Sequence, residues 1–146
     1  MQTKLDFPFH ATNNLTGNFS QFQGKKVVLY FYPKDNTPGC TIETKDFRDL
    51  FDEFNSKNTI ILGISRDSLA SHERFKNKYN LPFELIADPD EKICDLFKVM
   101  KEKNMFGKKC RGIERSTFLF DEKGELIKEW RKVKVLGHAK DVLKHV

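Results

Sequence analysis

The chain has 146 residues, 38% hydrophobic and 32% charged, with a net charge of +5. That balance suits one globular domain over residues 1–146, and no apolar run approaches the length of a membrane span. The three cysteines, Cys40, Cys94 and Cys110, are too few and too odd in number for a secreted disulfide framework. Met1–Lys4 leads into mixed sequence with no hydrophobic leader, so the expected location is cytoplasmic.

Residues 1–24 show no clear period, but Asn13, Asn14, Gly17, Asn18 and Gly24 mark turns compatible with a short hairpin. Val27–Tyr32 is an apolar run that reads as a buried strand. A helix is expected from Pro38 to Ser56, with Phe47, Leu50, Phe51 and Phe54 on its buried face. Thr59–Ile64 reads as a second strand, parallel to the first because a crossover helix separates them. A helix over Ser68–Tyr79, a short strand over Phe83–Ala87 and a helix opened by Asp88-Pro89-Asp90-Glu91 follow. Residues 101–114 read as an irregular basic loop. Ser116–Phe120 and Leu126–Trp130 flank a turn at Asp121–Gly124 and form a hairpin, and Ala139–Val146 is a terminal helix. Parallel units followed by an antiparallel hairpin imply an α/β fold: a central mixed β-sheet flanked by helices on both faces.

One stretch carries chemistry. After the first strand, a loop with two prolines ends at Thr37-Pro38-Gly39-Cys40. Thr37 suits the helix cap and Pro38 the first helical position, so Cys40 falls in the first turn. Unpaired backbone N–H groups and the positive end of the helix dipole stabilise a thiolate there, the reactive form of cysteine. In such sheets sites form at the carboxyl ends of strands, which is where Cys40 lies. The four histidines have no metal-ligand spacing with the cysteines, so no metal is expected.

The spacing Pro33-x-x-x-Thr37-x-x-Cys40, within Phe31-Tyr32-Pro33-Lys34-Asp35 and Gly39-Cys40-Thr41-x-Glu43, resembles the peroxiredoxins, and most closely their bacterioferritin comigratory protein or Q subfamily. Gly63-Ile64-Ser65, Ser71-His72, Asp88-Pro89-Asp90 and Gly112-Ile113-x-Arg115-Ser116-Thr117 extend the likeness from about Gly24 to the C-terminus. The resemblance implies a thioredoxin-like fold and a thiol peroxidase without a cofactor, because sulfur itself carries the redox change. It implies that Cys40 attacks a peroxide oxygen and becomes a sulfenic acid, and that Arg115 stabilises the thiolate and the leaving oxygen. It also implies that the Thr37 hydroxyl meets sulfur or peroxide, that Gly39 and Cys40 backbone N–H groups hold peroxide oxygen, and that Pro33 shields the pocket. Glu43 and Arg48 either orient the site or pair on the helix surface. His72 is read as structural.

The likeness breaks at the second half of the cycle. Many subfamily members carry a resolving cysteine in the same helix, here Lys45, or in the next helix, near Lys76. Cys94 reads as a small buried hydrophobe. Cys110, flanked by Lys109 and Arg111, is a candidate resolving cysteine; the other route is a one-cysteine cycle using an external thiol, from thioredoxin or a glutaredoxin/glutathione system. The subfamily likeness suggests a monomer. A thioredoxin-type oxidoreductase would need Cys-x-x-Cys, but its first position is Thr37. A redox sensor or chaperone is a further alternative. The basic residues Lys98, Lys101, Lys103, Lys108, Lys109 and Arg111 read as a solvated face; with no accompanying motif, neither nucleic acid nor membrane is an expected partner.

Overall fold

The computed structural model describes residues 5–146; Met1–Lys4, and with them the reading of the chain's start, lie outside the described residues. The elements are β1 (Pro8–Ala11), β2 (Thr16–Asn18), a 3-10 turn (Phe19–Phe22), β3 (Lys26–Phe31), α1 (Pro38–Asp49), α2 (Phe51–Ser56), β4 (Thr59–Ser65) and α3 (Leu69–Tyr79). They continue with β5 (Glu84–Ala87), α4 (Lys92–Leu96), β6 (Met100–Met105), β7 (Lys108–Ile113), β8 (Ser116–Phe120), β9 (Leu126–Trp130) and α5 (His138–Leu143). A seven-stranded mixed sheet runs in the order β2-β1-β5-β4-β3-β8-β9. Strands β3, β4 and β5 are parallel, while β8 is antiparallel to β3 and pairs Ser116 with Phe31.

Period-two alternation divides β3 between two cores. Val27, Leu29 and Phe31 face one core with Phe97, Phe118, Phe120 and α4. Val28, Tyr30 and Tyr32 face the other, where Phe47, Phe54, Phe75 and Val142 bring in α1, α2, α3 and α5. The sheet therefore has helices on both faces, as the element order implied. Tyr30 stacks on Phe47 at 4.8 Å between centroids, and that contact seats α1 over β3.

Three expectations need correction. The helix expected over 38–56 divides at Leu50 (φ −99°, ψ 5°). No Gly or Pro marks the break, so the apolar spacing runs through it unchanged. The helix after Asp88 begins only at Lys92: Glu91 takes a left-handed conformation, and the Asp88 carboxylate accepts the N–H groups of Ile93 and Cys94 at 3.1 and 2.8 Å from outside the helix. Residues 101–114 are no irregular loop: β6 and β7 form a hairpin in their own two-stranded sheet. Its strands are lysine-rich and largely exposed, so no alternating apolar pattern announces them, and its left-handed turn residues are Phe106 and Gly107 in place of the usual Asn-Gly.

Candidate active site

The site starts where β3 stops. Asn36 takes the left-handed region (φ 63°), turning the chain so that Pro38 opens α1. Thr41 is the first α1 residue whose N–H finds a backbone acceptor, Thr37 O at 2.9 Å. Pro38 has no N–H, so the N–H groups of Gly39 and Cys40 are the helix's unpaired donors. Cys40 is 1% exposed, its sulfur packed at this electropositive end.

Arg115 comes from the neighbouring strand's entry, just before β8. Because β8 runs antiparallel to β3, its first residues lie beside the carboxyl end of β3. Arg115, immediately before β8, therefore reaches the start of α1. Its Nη2 donates to Cys40 Sγ at 3.4 Å, and its Nη1 donates to Glu43 Oε1 at 2.6 Å. Gly39 leaves room for this approach: a Cβ there would sit 3.2 Å from Arg115 Nη2.

Glu43, one turn beyond Cys40, is fully buried, and its Oε2 has no hydrogen-bond partner. Burial pushes its carboxyl up to about 7, against the pull of the Arg115 guanidinium. Glu43 thus orients Arg115 and does not pair on the helix surface. Arg48 does the opposite: it pairs with the exposed Asp49 and donates to Tyr79 O at 3.0 Å, tying α1 to the end of α3.

Thr37 occupies the helix-cap position, but its side chain makes no cap bond; its hydroxyl donates to Lys34 O at 2.8 Å. The hydroxyl's lone pairs remain able to accept a hydrogen bond. Pro33, half-buried, begins the same loop.

The other cysteines sit apart in character. Cys94 is fully buried in the core beneath Phe97, as expected, and burial together with the Asp88 carboxylate pushes its thiol up. Cys110 is exposed on β7, opposite Lys103 of β6. All three thiols are free. Lys45 lies 5.7 Å from the Tyr79 ring, and Lys76 pairs with Glu84 at 2.7 Å, so both positions where a resolving cysteine was sought hold lysines with partners of their own. Asp35 figured in the sequence only within the family-like stretch Phe31–Asp35, with no role of its own, yet it is 7% exposed and hydrogen-bonded to His72; a loop aspartate gives no sequence signal of being turned inward.

Residues 3–129 match the AhpC/TSA family model. This chain belongs to the AhpC/TSA family, as a peroxiredoxin of the Bcp (Q) group. It is 50% identical to peroxiredoxin Bcp of Bacillus subtilis over 142 residues, 97% of this chain and 90% of that one. It is 49% identical to peroxiredoxin Bcp of Xanthomonas campestris, over 95% of this chain and 87% of the relative. The solved structure of the Xanthomonas campestris bacterioferritin comigratory protein superposes with a TM-score of 0.90 at 47% identity, covering 95% and 88% of the two chains. Those structures share the thioredoxin-like peroxiredoxin fold. Among the described residues of this peroxiredoxin, no helix is long and apolar enough to cross a membrane.

Proposed function

We propose that this peroxiredoxin reduces hydrogen peroxide and organic hydroperoxides at Cys40. The observation that carries the reading is the Arg115 guanidinium 3.4 Å from a buried sulfur at a helix N-terminus. The thiolate attacks one peroxide oxygen, the O–O bond breaks, and water or an alcohol leaves, so sulfur gains the oxygen as Cys40 sulfenic acid. Arg115 is the fixed cation for the thiolate and for charge moving onto the leaving oxygen, with Glu43 holding its plane. The unpaired N–H groups of Gly39 and Cys40 are donors to peroxide oxygen, the Thr37 hydroxyl is an acceptor for its proton, and Pro33 screens the loop. The Xanthomonas campestris relative reduces alkyl peroxides, which supports that substrate class.

Regeneration proceeds by a one-cysteine cycle: an external thiol attacks the sulfenic acid, releasing water and leaving a mixed disulfide, and a second thiol frees Cys40. The lysines at positions 45 and 76 favour this route. Thioredoxin or a glutaredoxin/glutathione system supplies the thiol to a monomeric, cytoplasmic protein folded as one domain over residues 1–146. A second route, resolution by Cys110, rests on that thiol's exposure beside Lys103. Cys40→Ser is the direct test of the peroxide step: it abolishes peroxide consumption, and an active variant would end the reading.

A further inference from the structure

The loop from Tyr32 to Thr37 carries the residues assigned to peroxide, yet it has no regular structure to hold it. What holds it is a buried polar network. Asp35 accepts from the Tyr32 hydroxyl at 2.6 Å, from the Ser71 hydroxyl at 2.8 Å, and lies 2.7 Å from His72 Nδ1. Its own N–H donates to Asp67 Oδ2 at 2.8 Å, and Asp67 also accepts from the Ser65 hydroxyl. The first turn of α3 and the end of β4 thus both converge on one residue of the loop.

Hydrogen-bond logic fixes a proton in this network. His72 is 0% exposed, and its Nε2 lies 2.9 Å from Ile86 O. A carbonyl only accepts, so Nε2 carries hydrogen. A bare Nδ1 would then set its lone pair against the Asp35 carboxylate at 2.7 Å. One proton must therefore lie between Nδ1 and Oδ2, because the Tyr32 hydroxyl, 3.4 Å from Nδ1, already donates its hydrogen to Asp35 Oδ1 at 2.6 Å.

We propose that His72 and Asp35 form a one-proton clasp that positions the peroxide loop, making both of them positioning residues for the first half-reaction. The inference rests on the peroxide chemistry proposed for Cys40. The clasp lies two residues from both Pro33 and Thr37. A second tie acts on the next residue, where Asn36 Oδ1 accepts from Lys78 Nζ at 3.2 Å. Releasing the clasp lets Thr37 and the start of α1 wander from the attacking geometry, and displacements near 1 Å can cost about 10²-fold in rate.

Single-turnover oxidation by limiting peroxide tests the clasp without involving any reductant. Asp35→Ala is expected to lower kcat/KM for peroxide by about 10²-fold in protein that remains folded by circular dichroism. Asp35→Asn, whose amide can donate to Nδ1 and whose oxygen can still accept from Tyr32, restores most of that loss. For the wild-type protein, NMR is expected to show an exchange-protected downfield proton resonance assigned to His72. Folded Asp35→Ala with wild-type kcat/KM overturns the clasp, as does Asp35→Asn no better than Asp35→Ala, or the lack of that resonance. If Asp35→Ala does not fold, Ser71→Ala removes one donor to the same carboxylate and is expected to lose about tenfold; no loss there overturns the proposal. Failure of the underlying peroxide reading looks different: wild-type Cys40 itself would not be oxidised.

Discussion

Around Cys40, the end of β3, the first turn of α1 and the residue just before β8 meet, and the Arg115 guanidinium pairs with the buried Glu43 carboxylate while donating to the sulfur. Around Cys110, β6 and β7 pair only with each other, and the thiol lies on an exposed, lysine-rich ribbon. The first region spends buried charge, a turn residue and a glycine on one sulfur; the second places its sulfur in water. Fixed donors in a site that excludes water stabilise developing charge far more than mobile ones on a surface. The contrast therefore supports the peroxide step proposed at Cys40 and leaves the hairpin outside it.

The strongest way to break the contrast is to remove Arg115. Arg115→Ala is expected to slow Cys40 oxidation by about 10²–10³-fold, the worth of one fixed donor at developing charge, measured by stopped-flow peroxide consumption. Glu43→Gln, assayed above pH 7 where the carboxyl is ionised, is milder: losing the charge that holds the guanidinium costs about tenfold, one charge-assisted hydrogen bond.

The same variant carries a pH signature. Burial raises the native Glu43 carboxyl to about 7, above its unfolded value. Between roughly 4.5 and 7 the native state therefore holds a proton that the unfolded state has lost. Stability from this group is complete below that window and declines as pH rises through it. Denaturant melts at several pH values should show that decline in the wild type and not in Glu43→Gln; parallel profiles would contradict it.

Smaller effects sharpen the other side of the comparison. Cys94→Ser places a hydroxyl in the fully buried core and is expected to cost about 1–3 kcal/mol of stability with little change in the peroxide step, read by urea unfolding and single-turnover kinetics. Cys110→Ser is expected to change neither. A large loss of peroxide reactivity in Cys110→Ser would merge the two regions.

Much of the fold was legible because β3, β4 and β8 are apolar runs with clear punctuation, and the β8–β9 hairpin could be read from the turn at Asp121–Gly124. Cys40 stood out by its place at a helix start after a strand, while Arg115 and the role of Thr37 entered only through the family resemblance. The β6–β7 hairpin was not, because neither of its faces supplies an apolar stripe and strand periodicity is visible only where burial imposes it. Glu43 stood undecided between the site and the helix surface, since one helical turn from Cys40 fixes which face it shares but not where Arg115 arrives. Asp35 and His72 were opaque for a related reason: their bond joins residues 37 apart in sequence, and only the packing of α3 against the loop brings them together.

The most direct measurement is to treat fully reduced protein with one equivalent of peroxide, trap sulfenic acid with dimedone, and map all three cysteines by mass spectrometry. The account predicts the adduct on Cys40 alone, with Cys94 and Cys110 as unmodified thiols. An adduct on Cys110, or three unreacted thiols, would contradict the assignment of the peroxide step; a Cys40–Cys110 disulfide would contradict the one-cysteine cycle.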